Sequence, residues 1–162
     1  MNLIEWKEKQ LADIERAYTL MKPFNPTILP SKSPWDAITV NFSVDTFPYD
    51  EASDIRAQAV GTGERGMFNL IFYFWKNPIH AYVGFKIKND GQLDAALGIL
   101  RKLKPAIKAK VISVLQEELS TELLKPNWAS KETGSEQKYR LAEPSLNAEI
   151  QRITKIIEEL KS

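Results

Sequence analysis

The stretch Met67-Phe68-Asn69-Leu70-Ile71-Phe72-Tyr73-Phe74-Trp75 decides the fold of this chain. Eight of its nine residues are apolar or aromatic, and only Asn69 interrupts the run. A run of this length and composition is typical of a β-strand that is covered on both of its faces. We therefore expect residues 67–75 to form a central strand with packed layers on both sides of its sheet.

A glycine-rich segment stands directly before this strand. Gly61-Thr62-Gly63-Glu64-Arg65-Gly66 has the glycine spacing of a phosphate-binding loop. Such a loop has to open a helix, because the helix N-terminus supplies the free N–H groups that hold the phosphates. Here the glycines open a strand, so we interpret them as residues that let the chain reverse between two strands.

Strand patterns continue on both sides of this segment. Residues 38–44 and 79–87 alternate apolar and polar side chains, and residues 55–60 form a weaker strand pattern. Because short turns such as Asn77-Pro78 separate them, these segments and residues 67–75 predict an antiparallel four-strand meander. A short C-terminal hairpin is expected from residues 123–128 and 138–141.

Three regions show helical periodicity. Asn2 and Glu5 have the spacing of a capping box, and the first helix should bury one apolar face, which consists of Ile4, Leu11, Ile14, Tyr18 and Met21. Between Leu93 and Val114 one apolar phase survives Pro105, which predicts one helix kinked there or two nearly collinear helices with Pro105 in the first turn of the second. A last helix should begin at Pro144-Ser145.

The element order predicts an α+β fold in a single domain, 1–162. It consists of an antiparallel sheet, with a four-strand meander plus a C-terminal hairpin, packed by N-terminal, central kinked and C-terminal helices. Within it, residues 22–36 carry four prolines and should form an extended arm with little regular structure.

The composition indicates in which cellular environment the protein is expected. Cysteine is absent, the net charge is +1, and no apolar run approaches the roughly 20 residues of a membrane helix. Acidic residues follow the first apolar ones, which is unlike a signal peptide. We expect a cytoplasmic protein without membrane contact.

The charge is distributed unevenly. Residues 76–110 hold eight basic and two acidic residues, a local net charge of +6. Clustered cations attract phosphate backbones, so this block is a candidate nucleic-acid or polyanion interface. Its candidate residues are Lys86, Lys88, Arg101, Lys104 and Lys108. A helical wheel spreads the helix members over several directions, which favours the alternative that they border an apolar face.

Other polar and aromatic residues offer further candidates. The carboxylates Asp45, Asp50, Glu51 and Asp54 could hold a divalent cation, although a solvated loop is the better interpretation of this spacing. Trp6 and Trp128 are candidate partner-surface residues, whereas Trp35 and Trp75 are interpreted as structural. His80 is the only histidine, and no nearby group would make it a catalytic base.

The function that these observations favour is a small non-enzymatic binding or adaptor protein. No G-x-S-x-G, H-E-x-x-H or P-loop motif is present, and no cofactor is expected. The amphipathic terminal helices suggest a protein partner, or a second copy of this chain in a homo-oligomer. The alternatives are a nucleic-acid-associated protein that uses residues 76–110 and a metal-dependent enzyme that uses carboxylates from residues 45–54.

Overall fold

A computed structural model describes residues 2–30, 32–33, 38–59, 68–120 and 143–162. The described residues form four α-helices: α1 Leu3–Met21, α2 Asp90–Leu100, α3 Pro105–Leu119 and α4 Glu143–Lys161. They also form five strands: β1 Thr27–Leu29, β2 Thr39–Asn41, β3 Asp54–Ala59, β4 Phe68–Lys76 and β5 Ile79–Ile87. The α+β class is confirmed. The expected C-terminal hairpin, the glycine-rich segment, Trp35 and Trp128 lie outside the described residues.

The strands form two sheets, so the predicted four-strand meander is wrong. β1 and β2 pair antiparallel, with Ile28 opposite Val40, and the other sheet has the order β3-β4-β5. β1 lies inside the arm at 22–36, for which the sequence predicts little regular structure. Proline has no N–H to donate to a ladder, and Pro26 and Pro30 therefore confine this strand to the three residues between them.

The strand predicted over 38–44 ends early. β2 stops at Asn41, and the chain turns after Ser43, whose carbonyl accepts a hydrogen bond from the Thr46 N–H at 3.1 Å. The two hydroxyl groups of Ser43 and Thr46 also lie 2.9 Å apart. Local hydrogen bonds of this kind compete with a strand ladder.

β4 is the middle strand of its sheet, as the sequence predicts. Its first face is fully buried and consists of Phe68, Leu70, Phe72 and Phe74. The second face is only half-buried over Asn69, Ile71 and Tyr73, and Trp75 is 48% exposed. The prediction that both faces of this strand are covered is therefore correct only in part, and Trp75 is not a core residue.

The helix boundaries follow local chemistry. At the start of α1 the Glu5 N–H donates to Asn2 Oδ1 at 2.8 Å, and the Asn2 N–H donates to Glu5 Oε2 at 3.4 Å, so the capping box is confirmed. Lys104 has extended backbone angles and separates α2 from α3. Two separate helices are therefore confirmed, with Pro105 in the first turn of the second, where a missing N–H costs nothing, and their near-collinearity stays a prediction.

The chain divides into two compact units. The first comprises Met1–Asp54 and Phe72–Val83, and the second comprises Ile55–Ile71 and Gly84–Ser162. In the first unit the Tyr49 ring meets Phe47 and Phe72 edge to face, with centroids 5.0 Å and 4.9 Å away. In the second, α4 packs on α2 and α3 through fully buried side chains, which include Leu97, Leu100, Val111, Leu115, Ile153 and Ile156. That residues 1–162 form one domain stays a prediction.

Candidate functional site

An apolar stripe on α1 is exposed to solvent. Ile4, Leu11 and Tyr18 are 69%, 63% and 53% exposed, whereas Ala17 and Met21 on the same helix are fully buried. The predicted apolar face therefore divides: its Met21 is buried, but Ile4, Leu11 and Tyr18 are not. The name α1 stripe is used below for these three exposed residues.

The helix geometry explains this division. Residues seven apart differ by only about 20° around an α-helix, so Ile4, Leu11 and Tyr18 lie in one nearly straight row. Ala17 lies about 100° from Tyr18, and α1 turns that side toward its own unit. Periodicity identified the row correctly, but it gave no information about whether a neighbouring element covers it.

An open groove lies beside the C-terminal end of the α1 stripe. It has a volume of about 540 Å³ and lies between α1 and the chain that leads into β1. Its lining includes Ile14 and Tyr18 from α1 and Pro26 and Ile28 from the other wall. Ile14 and Ile28 are half-buried, so the groove has an apolar floor that is partly open to solvent.

Acidic side chains border the same stripe. Glu8 and Glu15 are exposed and lie four residues after Ile4 and Leu11, which places them along one edge of the row. Within the part of the chain that the structure describes, neither carboxylate forms a salt bridge. Trp6, the other candidate on this helix, is half-buried and lies on the side opposite the stripe.

A second exposed apolar surface lies on the hairpin of β4 and β5. Tyr73 and Trp75 are two residues apart on β4, and their ring centroids are 5.5 Å apart. The Tyr82 ring on β5 lies 6.0 Å from Tyr73, and Tyr82 is 71% exposed. These three residues are called the aromatic hairpin face below. Sequence reasoning missed it, although Tyr82 stands on the polar side of the alternation in residues 79–87.

The five candidate cations occupy three places in the second unit. Lys86 lies on β5, and Lys88 follows that strand. Of the five candidates, only Lys108 is not exposed. Lys104 and Lys108 are one turn apart at the start of α3. Arg101 is engaged, because its Nη2 lies 3.0 Å from Glu159 Oε2. Arg101 is the one candidate whose guanidinium group can bind a phosphate through two N–H donors, and its charge is already paired with that of Glu159.

The candidate metal ligands are spread along the chain. Asp45 is in the turn after β2, Asp50 and Glu51 are in the short 3-10 helix Tyr49–Glu51, and Asp54 begins β3. Among the described residues, no group of three or more acidic or histidine side chains is placed to hold a metal ion.

One titratable group in this region is perturbed. Tyr49 is buried, and its hydroxyl donates a hydrogen bond to the Val44 carbonyl oxygen at 2.7 Å. Burial, and secondly the Asp45 carboxylate, raise the pKa of Tyr49. A phenol held neutral in this way stabilises the loop through its hydrogen bond to Val44.

Comparison with known proteins adds no assignment. The chain matches no protein-family model, no curated protein and no solved structure. Within the described ranges, no helix is both long and apolar enough to cross a membrane.

Proposed function

We propose that this protein is a non-enzymatic binding protein that holds another protein through the α1 stripe. The observation that carries the proposal is the exposure of Ile4, Leu11 and Tyr18 in one row on a helix that buries its other side. Apolar rows of this length are normally covered, because each large side chain gains about 1.5–3 kcal/mol on burial.

The spacing of the row favours a helical partner. Ile4, Leu11 and Tyr18 take the first position of successive heptads, and Lys7 and Ile14 take the fourth position. This is the seam by which two helices interlock their side chains, and the groove beside Tyr18 offers a socket for a large apolar side chain.

The charges indicate the chemistry of that partner. Glu8 and Glu15 occupy the flanking fifth position of the heptads, where a facing helix presents its own flanking residues. A partner with Lys or Arg there would form ion pairs with them. A second copy of α1 would not, because an antiparallel pair sets Glu against Glu, and a parallel pair faces them with Leu3 and Gln10. We therefore assign the stripe to an amphipathic helix with a basic flank.

Affinity capture with matched variants tests this proposal. Full-length protein is used as bait, and captured proteins are cross-linked and mapped by mass spectrometry. Leu11→Glu should abolish capture, whereas Ala12→Glu, an exposed change on another side of α1, should preserve it. The cross-links should map to a helix with Lys or Arg beside its apolar seam.

Two results would contradict the proposal. One is a captured set that Leu11→Glu leaves unchanged. The other is a dimer of this chain, detected by light scattering, that Leu11→Glu dissociates, since the stripe would then be covered by a second copy. The basic block is not adopted as a second function because Arg101 is paired with Glu159.

A further inference from the structure

We propose that the aromatic hairpin face binds single-stranded nucleic acid by stacking its bases on Tyr73, Trp75 and Tyr82. This site is separate from the α1 stripe and does not depend on the function proposed for it. Tyr82 and Lys76 lie within residues 76–110, but the site uses none of the five candidate cations Lys86, Lys88, Arg101, Lys104 and Lys108.

The three rings form one continuous surface. Tyr73 is the middle ring, 5.5 Å from Trp75 and 6.0 Å from Tyr82, with interplanar angles of 47° and 37°. A base has about the area of one such ring, and sheet proteins that bind single strands stack two or three bases on exposed aromatic residues in this manner.

The scaffold holds these rings in place. Each alternates with a buried neighbour on its own strand: Phe72 and Phe74 on β4 and Ala81 on β5 are nearly inaccessible to solvent. In addition, the Trp75 N–H donates to Ser53 Oγ at 2.9 Å, and the Ser53 N–H donates to the Tyr73 carbonyl at 2.8 Å. The backbone that carries these rings is therefore fixed, so stacking a base on the rings would cost little conformational entropy of the protein.

Hairpin stability alone does not account for all three rings. A cross-strand pair of Tyr73 and Tyr82 would stabilise the hairpin by roughly 0.2–1 kcal/mol. Trp75 adds a third, larger ring beside that pair, yet about half of its surface stays in solvent. The arrangement leaves apolar ring area uncovered, which is what a stacking ligand requires.

The charge around the rings favours a polyanion. Between Glu64 and Asp90 the chain contains no acidic residue. Lys76, the residue after Trp75, is exposed at the last position of β4. Asp54, at the start of β3, is half-buried. A lysine beside aromatic rings is the combination used for backbone phosphates and stacked bases, and a neutral glycan would not need it.

Fluorescence anisotropy with a labelled oligouridylate of about 12 nucleotides tests the site, because one binding module covers roughly 4–16 nucleotides. At low salt the wild-type protein should bind this strand more tightly than a duplex. Trp75→Ala and Tyr82→Ala should each weaken binding roughly 5- to 150-fold. Lys76→Ala should reduce the dependence of log K on log salt by about 0.7.

Matched variants separate stacking from other effects. Tyr82→Phe keeps the ring and should bind like the wild type. Tyr18→Ala removes another exposed tyrosine, which belongs to the α1 stripe, so it should leave oligouridylate binding unchanged while it impairs protein capture. If an alanine variant loses its folded circular dichroism spectrum, ultraviolet cross-linking of the wild-type protein to oligouridylate replaces it, and the adduct should map to Trp75, Tyr82 or Tyr73.

Three outcomes would overturn the inference. They are the absence of binding at low salt, binding that Trp75→Ala and Tyr82→Ala leave unchanged, and binding of a neutral oligosaccharide in place of the oligouridylate. A cross-link that maps only to Lys104 or Lys108 would also contradict the inference, because the strand would then bind at the basic block and not at the aromatic hairpin face.

Discussion

Arg101 donates hydrogen bonds from Nε and Nη2 to the same carboxylate oxygen of Glu159, at 3.2 Å and 3.0 Å. Arg101 is the C-cap residue directly after α2, and Glu159 lies near the end of α4, so the contact joins the ends of two helices through residues that are 58 positions apart in the chain. It also places a cation at a helix C-terminus, where the helix dipole is favourable. The pair therefore has a structural role that competes with phosphate binding by Arg101.

A double-mutant cycle measures this pair. Arg101→Ala, Glu159→Gln and the combined variant should give a coupling free energy of about 0.2–1 kcal/mol in urea unfolding, since both side chains are partly exposed and screened by water. The coupling should shrink in 1 M salt, at a Debye length of about 3 Å. Lys102→Ala, next to Arg101 and exposed, is the control; coupling of Glu159 to Lys102 as large as to Arg101 would contradict the assignment.

Tyr49 should make stability depend on pH above about 10, the ordinary pKa of tyrosine. Because its pKa is raised in the folded state, the folded protein keeps a proton that the unfolded chain releases. The neutral phenol therefore stabilises the fold fully below pH 10, and this contribution is lost as the pH rises further. Tyr49→Phe should cost about 1 kcal/mol at neutral pH, for the lost bond to Val44, and should lack the decline that Tyr49 causes above pH 10.

Chemical denaturation between pH 7 and pH 11 checks the direction of the Tyr49 pKa shift. The stability advantage of the wild type over Tyr49→Phe should narrow above pH 10. Phe47→Leu, a change in the ring that contacts Tyr49 but carries no titrating group, should differ from the wild type by a constant amount. An advantage that widens with pH would show that the pKa is shifted in the opposite direction.

The two sides of α1 should respond differently to substitution. Leu11→Gln should change the free energy of unfolding by no more than about 0.5 kcal/mol, because Leu11 is exposed and both residues are good helix formers. Ala17→Leu should cost about 1–3 kcal/mol by overpacking a fully buried position. Thermal unfolding of the isolated chain measures both; a large loss in Leu11→Gln would mean that the stripe is covered.

The parts of the fold that could be predicted are those that short-range chemistry specifies. The capping box of Asn2 and Glu5 and the helix start at Pro105 depend on neighbouring backbone groups, and the central position of β4 follows from its continuous apolar composition. The β1–β2 pair could not be predicted, because three residues between two prolines are too few to show a period. The α1 stripe and the aromatic hairpin face are open because no described element covers them, and periodicity carries no information about a missing neighbour.

Near the end of α3, helical periodicity does not decide which of two neighbouring residues is buried. The apolar phase from Leu93 onward selects Val114 as the next residue after Val111, whereas the structure fully buries Leu115 and leaves Val114 half-buried. Both positions, three and four residues after Val111, satisfy a period of 3.6, so the sequence alone does not choose between them. The packing of α3 on α4 decides the outcome in favour of Leu115.

Alanine substitution at these two neighbouring positions tests that packing. Leu115→Ala should lower the free energy of unfolding by about 2–5 kcal/mol, because it leaves a cavity in a closed interior. Val114→Ala should cost about 1 kcal/mol or less, since fewer methyl groups are removed from a side that water already reaches. Urea titration of both variants gives the two values, and Ser113→Ala, at an exposed position of the same turn, sets the baseline. Equal losses at positions 114 and 115 would mean that α3 is rotated relative to the orientation described, and the contact of α3 with α4 would have to be reassigned.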